Sequence, residues 1–351
     1  MSVSYTAVQW NKHKKRYDLT MVAIMAMYLL AFFAISLAMH QPPHEISIMQ
    51  LLIRAFGSMA IIMLHIILVI GPLCRLSPKF YPLLYNRRHL GVTMFLMALI
   101  HSLLATLWYH AGSSVNPIIS IFTANTNYDS LIYFPFQTLG FIALMILFLM
   151  AATSHDFWLK NLSPRTWKSL HMLVYLAYGL LIMHVALGVL QTEKHPAYVI
   201  ITVIGPVTVI ALHLAAGWVQ LQRDAKTKTI EEGWVHVGDA DDIRDGRAKL
   251  VHLKNSEPIA VFRHGNQLTA LTNVCAHQGG PLGEGKIVDG CVTCPWHGYQ
   301  YRPEDGQSPP PYAEKVTTYQ LRLDGRALYV NAQALPAGTP TPPVILEMID
   351  G

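Results

Sequence analysis

Cysteine and charge are both scarce in this chain. Four cysteines in 351 residues offer no disulfide framework, which excludes a small cross-linked secreted scaffold. Charged residues make up 13% of the chain against 52% hydrophobic ones, with runs too apolar for a soluble domain. No G-x-G-x-x-G opens a strand–turn–helix unit, so a dinucleotide-binding domain is not expected. Internal repeats and low-complexity segments are absent as well. The net charge of +5 comes from Lys/Arg clusters flanking apolar runs, so it needs no nucleic acid and suits anionic lipid.

Two of the cysteines fall in a pattern. Cys275 and His277 form C-A-H, and Cys294 and His297 form C-P-W-H, with sixteen residues between the two pairs. Two thiolates and two imidazoles in the order C-x-H…C-x-x-H are what a Rieske [2Fe–2S] centre uses, Cys275 and Cys294 on one iron and His277 and His297 on the other. A Cys₂His₂ zinc site has the same residue types, but it pairs Cys with Cys and His with His. Gly279-Gly280-Pro281-Leu282-Gly283 after the first pair, and Pro295 and Gly298 around the second, supply the tight loops a cluster needs. Flanking segments such as Pro258–Arg263, Gln267–Thr272 and Ala327–Asn331 alternate as strands do.

From about Glu231 to Leu335 the chain thus resembles the Rieske family, which implies a small antiparallel β domain. Gly280 and Trp296 stand where cytochrome bc-type members carry a second cysteine pair, Tyr299 replaces their serine, and Tyr301 sits where a tyrosine is often kept. The loops are similar to the ferredoxin and oxygenase type. Fewer hydrogen bonds to the sulfurs imply a potential toward the low end of the Rieske range, about −150 mV. Cys291 forms a formal C-x-x-C with Cys294, but that thiol belongs to the cluster motif, and Cys291 reads as a small buried residue. Oxygenases with this loop need a large domain with a two-His-one-carboxylate iron site, whereas only a short tail follows here, so oxygenase chemistry is not expected.

The rest reads as membrane. Six spans are expected near Leu19–Met39, Ile48–Ile70, Gly91–Tyr109, Phe134–Ala152, Leu170–Leu190 and Tyr198–Val219, each about long enough for a hydrocarbon core of roughly 30 Å. The first lacks a small-residue cleavage site and reads as an anchor. Lys12, Lys14, Lys15 and Arg16 precede span one, and Arg75, Lys79, Arg87 and Arg88 lie between spans two and three. Lys160, Arg165 and Lys168 lie between four and five, and Arg223, Lys226 and Lys228 follow six; among the opposite loops Lys194 is the exception. The positive-inside rule then places both termini and the β domain in the cytoplasm. The expected organisation is a six-helix transmembrane α bundle (1–219), a linker (220–232), an all-β Rieske domain (233–335) and a Pro/Gly/Thr-rich tail (336–351).

Histidines inside apolar spans are costly and mark function. His101 lies in span three, and His171 and His184 in span five, thirteen residues or about 20 Å apart along a helix. His65 lies in span two and His89 just before span three. His110, His155 and His195 near span ends read as interfacial. With Asn86-Arg-Arg-His-Leu-Gly91 and Trp167-Lys-Ser-Leu-His-Met-Leu-Val-Tyr175, residues 51–218 resemble the ferric reductase-like transmembrane family. The resemblance implies two b haems, one held at the outer level by His101 and His184, the other by His171 with His89 or His65, of which His89 matches its depth better.

The chain is therefore expected to be an electron-transfer protein of a bacterial inner membrane. A cytoplasmic donor, a reductase or a ferredoxin, would reduce the cluster, and electrons would pass through the haems to ferric iron, oxygen, quinone or a periplasmic redox protein outside. Two other readings remain open: a quinol-linked enzyme delivering electrons to a cytoplasmic partner, and a haem-free iron–sulfur sensor. No catalytic residue is assigned.

Overall fold

The structure, a computed structural model, describes residues 12–39, 46–84, 86–154, 158, 162, 164–192, 196–225, 233–253, 256–277, 279–295, 298–310 and 312–346. It divides into two compact units, a helical one comprising residues 11–72 and 86–214 and a second that holds the strands.

The longer helices are α1 (Lys12–Met39), α2 (Ile48–Leu76), α3 (Arg87–His110), α4 (Pro117–Thr123), α5 (Phe136–Ala152), α6 (Pro164–Met172), α7 (Val174–Leu187) and α8 (Gly205–Ala225). Five segments are long and apolar enough to cross a membrane: Lys15–Met39, Ile48–Leu76, Arg87–His110, Ser169–Gln191 and Pro196–Gln222. Phe136–Ala152 is shorter, 17 residues, or about 25 Å. Burial sorts them. The apolar window of α2 is 56% buried and that of Lys15–Met39 not at all, so α2 is the central helix while α1 presents Leu19, Met27 and Leu30 outward, as a lipid-facing helix does.

Local chemistry sets the interruptions. Asn116 caps α4 by accepting a bond from Ile118 N at 2.9 Å, with Pro117 at the first helical position. Span five is continuous in sequence pattern but tightens at Leu173, whose N–H bonds three residues back to Leu170, so His171 ends α6 and His184 sits in α7. Pro206 lacks the N–H that an α-ladder would use, and the turn before it, Ile200–Ile204, widens to a π-helix.

The second unit carries β1 (Trp234–Asp239), β2 (Ala248–Val251), β3 (Ile259–His264), β4 (Gln267–Thr272), β5 (Lys286–Val288), β6 (Cys291–Thr293), β7 (Gln300–Tyr301), β8 (Thr318–Tyr319), β9 (Leu321–Asp324), β10 (Ala327–Asn331) and β11 (Val344–Ile345). Antiparallel pairing gives sheets ordered β1-β10-β9, β11-β4-β3-β2 with β8 also on β4, and β5-β6-β7. Strand β3 is buried on both faces: Ile259 and Val261 enter a core with Val235, Val237, Leu328 and Val330, while Ala260 and Phe262 enter a core that contains Cys275, Cys294, Tyr299 and Tyr301. Each fully buried side chain of this size contributes about 1.5–3 kcal/mol. The second core thus backs the two cysteine loops with packed apolar side chains.

Two boundaries differ from the sequence expectation. The last helix runs through 220–225 rather than ending at 219, because Gln220-Leu-Gln-Arg-Asp-Ala225 contains good helix formers and no breaker. The segment after Leu335 is tied down, with Val344↔Leu268 and Ile345↔Gln267 paired and Thr318 Oγ1 donating to Thr339 O at 2.8 Å. Proline and threonine there exclude a helix but not an edge strand.

Candidate functional site

Helices α3 and α7 bring His101 and His184 together edge-on, with ring centroids 6.3 Å apart and planes at 83°. Each imidazole is oriented by a different neighbouring helix. His101 Nδ1 lies 2.8 Å from Ile53 O on α2, and His184 Nδ1 2.9 Å from Phe136 O on α5. A carbonyl only accepts, so both Nδ1 atoms carry the proton and both Nε2 atoms keep the lone pair. The two supports are built alike, because four residues after each carbonyl comes a glycine. A Cβ on Gly57 would lie 2.7 Å from His101 Nδ1, and one on Gly140 2.8 Å from His184 Nδ1. Glycine is what lets each ring reach its carbonyl.

The pair lines a cavity of about 450 Å³, with Ser102, Thr106, His110 and Gln137 among its polar walls and Leu144, Leu147 and Leu181 among its apolar ones. That volume is in the usual range for a cofactor pocket, roughly 300–1,000 Å³. Imidazole nitrogens bind a transition metal at about 2 Å, which puts two rings across one ion about 6 Å apart centre to centre. The observed separation and the two Nδ1 protons fit a bis-imidazole site.

Other histidines divide by what holds their nitrogens. His110 is buried with Nδ1 on Ser120 Oγ at 2.8 Å and Nε2 on Gln137 Oε1 at 3.0 Å, a satisfied structural residue in the cavity wall rather than an interfacial one. His213 is held on both sides too, by Val209 O and the Tyr175 hydroxyl. His171 stacks on Trp167 at 3.8 Å, with Nδ1 on Trp167 O at 3.0 Å and Nε2 3.4 Å from Ser154 Oγ. His89 Nδ1 meets Asp18 Oδ2 at 2.8 Å. His65 turns its Nε2 into α8, against the place a Cβ of Gly205 would occupy, and packs edge-on to Tyr178. Among the described residues, His101 and His184 are the one histidine pair whose rings meet; His171 is brought to neither His89 nor His65.

The cysteine loops are two copies of one turn. Cys275 O accepts from Gly279 N at 2.7 Å and Cys275 N donates to Gly280 O at 2.8 Å; Cys294 O accepts from Gly298 N at 2.9 Å and Cys294 N donates to Tyr299 O at 2.7 Å. Gly279 and Gly298 sit at φ 73° and 74°, a left-handed conformation that glycine adopts without cost. Both cysteines are buried. Between the loops, Asp289-Gly290 turns β5 into β6 with both residues at positive φ, the two-residue hairpin that Asp-Gly favours. His277 stacks on Tyr299, centroids 4.5 Å apart and planes at 11°, and the Tyr301 hydroxyl is 3.2 Å from Cys275 Sγ. Burial, then the charge of Cys275, pushes the Tyr301 hydroxyl far above the ordinary tyrosine range, which keeps it a donor. His297, the fourth residue of the motif, lies outside the described residues, as does Trp296. Among the described residues no three His, Cys, Asp or Glu side chains close round one point, and a binuclear cluster, with two protein ligands per iron, does not ask for it.

Comparison with known proteins separates the same two regions. Residues 56–182 match the ferric reductase like transmembrane component, and residues 233–320 match the Rieske [2Fe-2S] domain. The anthranilate 1,2-dioxygenase ferredoxin subunit of Burkholderia cepacia is 32% identical over 28% of this chain and 91% of its own length. The protein-methionine-sulfoxide reductase heme-binding subunit MsrQ of Herminiimonas arsenicoxydans is 30% identical over 47% of this chain and 69% of its own. The MsrQ of Polaromonas naphthalenivorans (strain CJ2) is 31% identical over 38% of this chain but only 57% of its own length. The chain belongs to the ferric reductase-like transmembrane family and carries a C-terminal Rieske domain. It is a membrane electron-transfer protein with a helical ferric reductase-like unit and a β-sheet Rieske domain that takes a [2Fe–2S] cluster.

Sequence reasoning passed over Gly57 and Gly140 beside the imidazoles and Asp18 beside His89, and it read His110, which stands in the cavity wall, as interfacial. A glycine one turn from a carbonyl is visible in the sequence, but only the helix packing shows which glycine meets a histidine. In the Rieske domain the cysteine-plus-four glycines were visible.

Proposed function

We propose that this protein conducts single electrons outward across a bacterial inner membrane, from a cytoplasmic reductase or ferredoxin, through the Rieske cluster and two b haems, to ferric iron, oxygen, quinone or a periplasmic redox protein. The observation that carries the reading is the His101–His184 pair, with ring centres 6.3 Å apart and both Nδ1 atoms engaged by carbonyls. The names of the MsrQ relatives, heme-binding subunits, support it. When bound, haem and cluster each take up and release one electron at a time.

The residues divide the work. Cys275 and Cys294 hold one iron of the cluster and His277 and His297 the other, with the Tyr301 hydroxyl donating to Cys275 Sγ. His101 and His184 would hold the outer haem, their tautomers locked by Ile53 and Phe136 so that each Nε2 keeps its lone pair. His171 and His89 serve the inner haem. Trp167 O accepts from His171 Nδ1 and the Asp18 carboxylate from His89 Nδ1. His65 is the alternative to His89: its buried Nε2 has no hydrogen-bond partner among the described residues and occupies the space that a Cβ of Gly205 would fill. Along α3, His89 and His101 are twelve residues apart, about 18 Å, which separates two levels in the bilayer.

Six spans, counting Phe136–Ala152, with the basic loops inside, put both termini and the Rieske domain in the cytoplasm. Outward transfer then runs with an inside-negative potential, about 2.3 kcal/mol per 100 mV for a full crossing. In proteoliposomes with reductant on the Rieske side and an impermeant ferric complex on the other, His184→Ala is expected to stop reduction of the ferric complex while the cluster stays reducible by EPR. Unchanged transfer overturns the reading.

A further inference from the structure

We propose that Tyr299 is a positioning residue of the Rieske centre, a ring carried by the second cysteine loop that clamps the His277 imidazole of the first; this rests on the reading of His277 as a cluster ligand. The backbone of Tyr299 belongs to the second loop, where its carbonyl accepts from Cys294 N at 2.7 Å. Its side chain serves the other loop. The Tyr299 ring lies nearly parallel to that of His277, centroids 4.5 Å apart and planes at 11°, an offset stack of the kind aromatic pairs prefer. The tyrosine is itself held. Tyr312 and Tyr301 pack against it at 4.8 and 5.8 Å with planes tilted by 56° and 42°, and its hydroxyl is hydrogen-bonded to the Glu314 side chain. It is 5% exposed. Burial, then the bond to Glu314, pushes the hydroxyl far above the ordinary tyrosine range, which keeps it a donor to that carboxylate.

The contrast with Tyr301 carries the argument. Tyr301 is fully buried and brings its hydroxyl to 3.2 Å from Cys275 Sγ, whereas Tyr299 gives its hydroxyl to Glu314 and its ring face to His277. Two tyrosines two residues apart thus divide the support: one bonds a ligand sulfur, the other holds a ligand ring. The glycine turns fix the cysteines through the backbone. His277 lies two residues beyond Cys275, outside that turn's hydrogen bond to Cys275 N, and its ring direction is a matter of side-chain torsions, which the stack restricts. Partners of this kind orient a metal ligand without touching the metal.

Tyr299→Phe keeps the ring and loses the hydroxyl, and Tyr299→Leu keeps an apolar side chain and loses the ring. In the purified full-length protein reduced with dithionite, EPR line widths and the imidazole nitrogen couplings seen by pulsed EPR report how the ligand rings are held. Tyr299→Leu is expected to broaden the lines and shift the coupling of one of the imidazoles. Tyr299→Phe is expected to keep both couplings and the cluster midpoint, because the lost hydroxyl bonds Glu314 and not the cluster. A lower melting temperature with wild-type couplings in Tyr299→Leu overturns the proposal, since that is what a merely structural tyrosine gives. A shifted midpoint in Tyr299→Phe contradicts it as well. Should Tyr299→Leu lose the cluster, Tyr299→Phe decides: a retained cluster with wild-type couplings supports the clamp, and loss in both variants contradicts it. His277→Ala is measured in parallel and should lose the reduced-cluster signal. A signal retained in His277→Ala would reject His277 as a ligand, a failure distinct from that of Tyr299.

Discussion

The two redox regions hold their candidate ligands by opposite means. In the Rieske domain each cysteine is fixed by its own loop, the glycine four residues on folding back to the cysteine carbonyl, so the geometry is local and needs few distant contacts. In the ferric reductase-like unit His101 and His184 are 83 residues apart in sequence, and each imidazole is aimed by a carbonyl on yet another helix, 48 residues away in both cases. Glycine appears in both, for different reasons. Gly279 and Gly298 supply a backbone conformation, whereas Gly57 and Gly140 supply space for a side chain of a neighbouring helix. A local site tolerates changes elsewhere in the chain, and a packed site depends on them.

Mutations should separate the two designs. Cys294→Ser is expected to abolish the EPR signal of the reduced cluster while leaving haem absorption intact, since no residue of the cavity around His101 belongs to the Rieske domain. Loss of haem absorption in that variant would show that the sites are not independent. Gly140→Ala puts a methyl 2.8 Å from His184 Nδ1 and should cost about 1–3 kcal/mol through overpacking. Its expected readouts are a lower melting temperature, a lower haem content and an altered haem spectrum, with the cluster unaffected; a wild-type haem spectrum in Gly140→Ala would contradict the orienting role of that carbonyl–glycine device. Tyr301→Phe removes a hydrogen bond to Cys275 Sγ and should lower the cluster potential while retaining the cluster, read by EPR-monitored titration.

The smallest effect concerns pH. Bonds from the Gly265 and Gly246 backbone hold Asp245 below its ordinary pKa, with Gly265 N at 2.7 Å. A depressed carboxylate stabilises the fold above its unfolded pKa of about 3.9, and that contribution is lost as pH falls through the lower folded value. Asp245→Asn should therefore lower the melting temperature of the Rieske domain slightly at pH 7 and change it least at acid pH, where the carboxyl is already protonated, which flattens the acid limb, as checked by melting curves across that range.

Legibility followed the same division. The two cysteine loops were readable because the spacing of Cys275 and Cys294 to the glycine four residues on is itself the geometry of the turn. The apolar spans were readable from composition, and the matching of His101 to His184 came with the resemblance to the ferric reductase-like family. What governs the imidazole nitrogens was not readable, because the partners of His65, His89, His110 and His171 depend on which helix faces they meet. His110 looked interfacial from its place at a span end, yet Ser120 on α4 and Gln137 on α5 enclose it. The break at Leu173 and the pairing of Val344–Ile345 left no mark on the hydrophobic pattern either, since both are set by packing around ordinary residues.

Haem content per chain, measured on the detergent-purified protein together with low-temperature EPR of the dithionite-reduced form, tests the central claim most directly. The account predicts one reduced [2Fe–2S] signal and two low-spin b haems, one of them lost in His184→Ala. A cluster signal with no haem absorption would contradict it and leave the ferric reductase-like helices as an anchor for an iron–sulfur domain.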